Sequence, residues 1–248
     1  TETDYPADNS RVVVMGLCPS AMTTADSHTT YSLPSRAGLT DVLVTPNGVT
    51  GSRKQPFGRA LEFAHAAVRI VLKARRTDNT VGKLYVKNLK LTMPARLVCG
   101  GLKWDTGTKQ YLAAPAAADL VINHSGQILS TEDTQVAVFY LTPCSPADLL
   151  TDLTGTGGTP GLTLTADVAK DINFTTGARN ASFPILDGNL NFMDQFGSPA
   201  TQLKGGESYE TTLKFDIDSF TLEGEEKEWE DGGKMTVPVV VPEPTLGP

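Results

Sequence analysis

Apolar and polar residues alternate along this chain in short runs, each cut off by Gly or Pro. Glu210 to Asp218 shows it best. Leu213, Phe215 and Ile217 fall on one side, with Lys214, Asp216 and Asp218 on the other. Side chains alternate across a strand, so such a run is a strand with one face in a core. The 23 glycines and 16 prolines are spread over 248 residues, the punctuation of many short strands joined by turns. The chain therefore reads as all-β. Further strands are expected over 11–15, 41–44, 83–91 (Leu84 and Val86 on one face), 135–141 (fully buried) and 236–241.

Residues 61–72 need a choice, because their composition also suits a helix. Leu61 and Phe63 share a face at period two, and beyond Ala66-Ala67 the phase shifts to Val68, Ile70 and Leu72. A bulge near His65 reconciles the halves as one bent strand. The best helix signal is Ser145-Pro146-Ala147-Asp148-Leu149-Leu150, with Ser145 as N-cap and Pro146 at the first helical position. Two loop zones, 113–118 and 154–161, interrupt the pattern. With the first near a boundary, the chain divides into two β-sandwich domains in series, 1–132 and 133–248.

Composition narrows the function. Net charge is −7, and Lys73-Ala74-Arg75-Arg76 is the nearest approach to a basic patch, so nucleic acid is not an expected partner. No apolar run reaches bilayer-spanning length, and the first residues lack a signal-peptide pattern. Cys18, Cys99 and Cys144 lack metal-knuckle spacing. They are either one disulfide plus a thiol or three buried reduced cysteines.

Catalytic signals are weak. Asp105-Thr106-Gly107 spells half of an aspartic-protease site, but that chemistry needs two such carboxylates, so a hairpin turn is expected. His28, His65 and His124 have no second ligand at metal spacing, and His65 reads as structural. The acidic run 223–233 lacks the residue order of a calcium loop. It reads as a solvated turn pinned by a buried Trp229. No catalytic, cofactor-binding or metal-binding residues are assigned, and the chain is not expected to be an enzyme.

Three segments, in order, resemble the fimbrillin family, the pilin and adhesin subunits of Bacteroidales type V pili. They are Tyr5-Pro6-Ala7-Asp8 before Val12-Val13-Val14 with Cys18-Pro19 beyond; Asp41 to Val44 followed by Leu61-Glu62-Phe63-Ala64-His65-Ala66-Ala67-Val68-Arg69-Ile70; and Tyr209 to Ile217 followed by Phe220-Thr221-Leu222 and Glu228-Trp229-Glu230-Asp231-Gly232-Gly233. Leu141-Thr142-Pro143-Cys144 departs from the family's Ile-Pro-Gln, keeping the proline and losing the glutamine. The resemblance implies a two-domain transthyretin-like sandwich, exported as a lipoprotein to the outer-membrane surface or fimbria. The lipid anchor belongs to a precursor segment outside this sequence. It also implies that a protease removes an N-terminal strand, opening a groove for a strand of the next pilin subunit. Host protein or glycan ligands are possible partners of such subunits.

Met235, Val237, Val239 and Val241 share one face and are the candidate assembly strand. Pro238 restricts it to an edge or groove, and the alternative is an ordinary final strand of the C-terminal domain. A rival function is a surface glycan-binding β-sandwich lectin, for which Trp104 and Tyr111, flanking the Asp105 turn, are the candidate contacts.

Overall fold

In the computed structural model the sheets are assembled across large sequence distances. The structure describes residues 6–25, 28–33, 35–46, 48–56, 58, 60–76, 85–128, 131–150, 161–184, 190–194, 197–215, 220–227 and 235–237. The first strands are short: β1 (Val12–Val14), β2 (Leu17–Cys18), β3 (Thr23–Ala25), β4 (Thr30–Ser32), β5 (Leu43–Val44), β6 (Val49–Gly51) and β7 (Leu61–His65). Longer ones follow: β8 (Val68–Arg76), β9 (Tyr85–Met93), β10 (Cys99–Asp105), β11 (Gln110–Pro115), β12 (Leu120–Ile128) and β13 (Thr134–Leu141). The last are β14 (Thr163–Ala169), β15 (Arg179–Pro184), β16 (Leu190–Met193), β17 (Ser208–Phe215), β18 (Phe220–Lys227) and β19 (Met235–Val237). Among the described residues the only helical element is a 3₁₀ turn, Pro146–Leu149, at the expected place. Asp148 Oδ2 accepts from both the backbone N–H and the hydroxyl of Ser145, closing its start. None of the described helical structure is long and apolar enough to cross a membrane.

Two sheets, ordered β12-β9-β14-β15 and β13-β8-β17-β18-β16, enclose the larger core. Ile70, Leu72, Phe139, Leu213 and Phe215 come from one sheet, and Val86, Leu91, Ile128, Leu164 and Val168 from the other. Most pairs are antiparallel, but β8 and β17 run parallel from Ser208↔Arg69 to Phe215↔Arg76, and β16 pairs parallel with β18. A smaller core of Leu33, Val42, Val44, Ala67, Cys99 and Leu102 lies under the sheets β11-β10-β4-β3 and β19-β7-β5-β2.

The division at 132/133 is not the one the sheets follow. Strands β8, β9 and β12, all before residue 133, hydrogen-bond to β13, β14 and β17, beyond it or to one another, so the larger core takes strands from both halves. Residues 113–115 belong to β11 and not to a boundary loop. The smaller core instead draws on residues in or beside β2, β4, β5 and the β10–β11 hairpin, while β19 adds backbone pairing to the β7 sheet.

Residues 61–65 and 68–72 are strand, as the alternation requires, but no bulge joins their halves. At Ala66-Ala67 the chain leaves one sheet and enters another. The Ala66 N–H reaches the Val42 carbonyl (2.9 Å), and the Ala67 carbonyl accepts from Gly206 (2.9 Å). Gly205 packs so closely on the Ala66 carbonyl that any Cβ there would collide with it. In β9 the phase slips at Asn88 (φ 52°), where both neighbouring registers shift. Val86 before the slip, and Leu89, Leu91 and Met93 after it, all reach the core. Strand β13 is not fully buried. It is the edge of its sheet, and only Phe139 and Leu141 are fully covered. The acidic run begins as strand, through Lys227 in β18, rather than as a turn. Leu213 and Phe215 face the core as expected, while Leu84, 154–160, Ile217 and Trp229 lie outside the described residues.

Gly101 marks the tightest strand approach. With φ at 151°, its Cα faces the Tyr31 carbonyl on β4, and a Cβ would overlap that oxygen. Gly101→Ala should lower stability by roughly 3 kcal/mol, because β4 must be pushed off β10. Gly58→Ala, where no described atom lies within 4 Å of the new methyl, should stay within about 0.5 kcal/mol. Thermal melts of the two variants give the comparison, and equal melting temperatures would refute the assigned crowding.

Candidate functional sites

Three places gather the side chains that the sequence singled out. The first is the Asp105 turn. Strands β10 and β11 pair with Trp104 opposite Tyr111, and Asp105 Oδ1 accepts from the Gly107 N–H (2.6 Å) and the Thr108 N–H (3.1 Å). This Asp-Gly turn chemistry settles the Asp-Thr-Gly motif as a hairpin. The paired rings meet edge to face, with centroids 5.0 Å apart. Tyr31 from β4 adds a third ring, 5.6 Å from Tyr111, and His28 a fourth, 6.1 Å from Tyr31. The Tyr111 hydroxyl donates to the His28 carbonyl at 2.6 Å, and the Trp104 N–H to the Thr29 carbonyl at 2.7 Å. Together with Val13, Met15, Leu17 and Lys109 these residues line a groove of about 720 Å³. Sequence reasoning found Trp104 and Tyr111 but missed Tyr31 and His28. Those two arrive through the β4–β10 pairing, between strands that are seventy residues apart in the chain and carry no shared local signal.

The second place is the edge of β7 that β19 covers. Strand β19 pairs with it antiparallel, Met235↔Phe63 through Val237↔Leu61, and ends the sheet β19-β7-β5-β2. Met235 and Val237 thus lie on a strand bonded to the smaller core's sheet, while Pro238, Val239 and Val241 lie outside the described residues.

The third is His65, at the end of β7. Its Nδ1 lies 2.6 Å from Asp41 Oδ2, and the His65 side chain is only 7% exposed. Burial raises the Asp41 carboxyl above its ordinary range, outweighing the opposing pull of His65 and Arg69. The other Asp41 oxygen, Oδ1, is buried without a hydrogen-bond partner. The cysteines are reduced. Burial pushes the Cys99 thiol to about 11 and the Cys144 thiol to about 12, and half-buried Cys18 is also raised. Such thiols stay protonated and unreactive. Lys73-Ala74-Arg75-Arg76 ends β8 with its charges engaged: Lys73 on Glu210 (2.7 Å), Arg75 near Asp133 (3.7 Å) and Arg76 over the Tyr85 ring. Among the described residues no group of three or more His, Cys, Asp or Glu side chains is placed to hold a metal ion.

No family model matches the chain, and no curated protein matches it. Solved structures do. One is a protein assigned provisionally to cell adhesion from Bacteroides uniformis, at 14% identity and a TM-score of 0.49, covering 91% of this chain and 75% of that one. A fimbrial protein from Bacteroides vulgatus matches at 13% identity and a TM-score of 0.46, covering 91% and 79%. The tip fimbrial protein Mfa3 from Porphyromonas gingivalis, truncated at its C-terminus, matches at 9% identity and a TM-score of 0.34, covering 76% and 63%. These neighbours are adhesion and fimbrial proteins of the bacterial group named by the sequence resemblance.

The Asp41–His65 pair should be visible in the pH dependence of stability. A carboxyl raised in the folded state stabilises the fold most below its ordinary value of 3.8, and that contribution is lost as pH rises through the raised value. Asp41→Asn lacks this dependence. In urea unfolding from pH 4 to 7, wild-type stability minus variant stability should therefore fall with pH. A difference that grows with pH would show that the carboxylate is favoured instead.

Proposed function

We propose that this chain is a structural and adhesive pilus subunit without catalytic activity, exported to the bacterial surface and built into fimbriae by exchange of an extended strand. The single observation that carries the reading is the position of β19. The last described strand does not complete the larger sandwich beside β18. It adds to the edge of β7, in a sheet made otherwise from residues 17–65. An edge filled by a distant three-residue strand can be filled by the same strand of another copy, since main-chain hydrogen bonds supply the affinity. Pro238 follows at once and lacks an N–H to continue a ladder, which limits sheet growth at that end. The resemblance in residues 5–19, 41–70 and 209–230 adds the family context: a transthyretin-like pair of sandwiches, a lipidated precursor held at the outer membrane, and pilin subunits as partners.

Deleting the chain after Lys234 tests the reading. The shortened protein should remain a folded monomer with nearly the wild-type melting temperature, lose polymerisation, and bind a peptide of sequence Met235 to Val241. Electron microscopy of cell-surface filaments with and without the deletion gives the second readout. Unfolding of the shortened chain would instead make β19 part of its own core.

A further inference from the structure

The groove at the β10–β11 hairpin is separate from the β7 edge, and none of its walls comes from β7 or β19. It has four properties that belong together. First, Tyr31, Tyr111 and Trp104 meet at 64–75° and not in parallel, so their rings form a concave corner. The apolar C–H face of a pyranose ring seats on such a surface, because aromatic faces carry negative charge and C–H hydrogens are weakly positive. Second, the rim is polar: His28, Thr29 and Lys109 border an otherwise apolar wall of Val13, Met15 and Leu17. Third, the local charge is opposite to that of the molecule. The chain carries −7, yet no carboxylate lines the groove, and Lys109 is exposed and in no ion pair among the described residues. Fourth, two non-glycine rim residues hold left-handed backbone, His28 at φ 68° and Lys109 at φ 58°. Strain of this kind persists where the surroundings fix it, here the Tyr111 hydroxyl on the His28 carbonyl and the Asp105 turn before Lys109, and it collects at ligand clamps.

We infer that this groove is a saccharide site that takes an acidic pyranose, a sugar bearing a carboxylate. The ring stacks in the corner of Trp104 and Tyr111, and the carboxylate meets the Lys109 ammonium at the rim. A volume of about 720 Å³ holds one to two sugar units. A neutral sugar leaves the lone cation unused, and an apolar peptide leaves it facing no counter-charge. Charge complementarity therefore selects the acidic sugar over both.

Saturation-transfer NMR on the full chain tests this with sialyllactose, a glucuronate-containing disaccharide and lactose as probes. Transfer to at least one acidic sugar, and not to lactose, is expected. Lys109→Gly relieves the left-handed backbone and so should fold normally. It should weaken acidic-sugar binding by about tenfold, the loss of one charge-assisted hydrogen bond. Trp104→Ala should abolish transfer, with circular dichroism confirming that the hairpin still forms. The assignment fails if neither acidic sugar receives magnetisation, if lactose binds as well as they do, or if Lys109→Gly binds with unchanged affinity. Displacement of the sugar by a Met235–Val241 peptide would reassign the groove to an extended chain. Because the β7 edge plays no part, loss of polymerisation in the deletion above leaves these results unaltered.

Discussion

The parallel pairing of β8 with β17 holds the molecule together. Eight residue pairs join two strands whose intervening chain, residues 77–207, supplies most of the larger sandwich. Bringing such distant strands together costs loop-closure entropy before any contact rewards it, so the pair forms only when both flanking sheets contribute burial. The sequence is built for that. Val68, Ile70, Leu72 and Ala74 on β8, and Tyr209, Leu213 and Phe215 on β17, all reach the same core. Lys73 and Glu210 add a partly exposed ion pair diagonally across the two strands, worth about 1 kcal/mol. Removing either strand divides the five-stranded sheet and takes its buried residues out of the larger core.

The smaller core follows from this arrangement. Its residues lie in or beside β2, β4, β5 and the β10–β11 hairpin, β19 adds backbone pairing to the β7 sheet, and each stretch is interrupted by a passage through the larger sandwich. Leu33, Val42, Val44, Ala67, Cys99 and Leu102 are few, and short strands of two or three residues surround them. Such a core depends on its neighbour to fix the positions of its pieces, and Ala66-Ala67 and Gly205 mark the junction. Lower local stability is expected on the side that carries both the aromatic groove and the β7 edge.

Strands were legible where alternation is clean, and β12 and β14 to β16 were not among those expected. Phe63, Phe215 and Leu213 announced their faces without help from the rest of the chain. Turn chemistry was legible for the same local reason: residues 105–108 and 145–148 each contain their own hydrogen-bonding partners. The change of sheet at Ala66-Ala67 was not legible. A bulge and a crossover both shift the phase by one, and what distinguishes them is Gly205, 139 positions later, pressed on the Ala66 carbonyl. Strand β13 misled through its composition, since a Val-rich edge half-covered on both faces resembles a buried strand. Sheets cross position 132/133 through pairings such as β8 with β17, β8 with β13 and β9 with β14, and a pairing between distant strands leaves no local trace in either one. At the groove, Trp104 and Tyr111 were visible as opposite positions of one hairpin, but Tyr31 reached them only through β4–β10 register.

The register of β19 on β7 also sets how the protein bears a pulling force. Val237 lies opposite Leu61, so the chain enters β7 and leaves β19 at the same end of their ladder. Tension applied between the early and late parts of the polypeptide would therefore peel that ladder bond by bond rather than shear all of it together. The larger sandwich is entered at Val68 and left at Lys227, also at one end, since Ser208 faces both Arg69 and Lys227. Until that ladder opens, the sandwich lies within the loop of chain that β7 and β19 close. The molecule thus contains a mechanical fuse in series with its outer strands and in parallel with its main core.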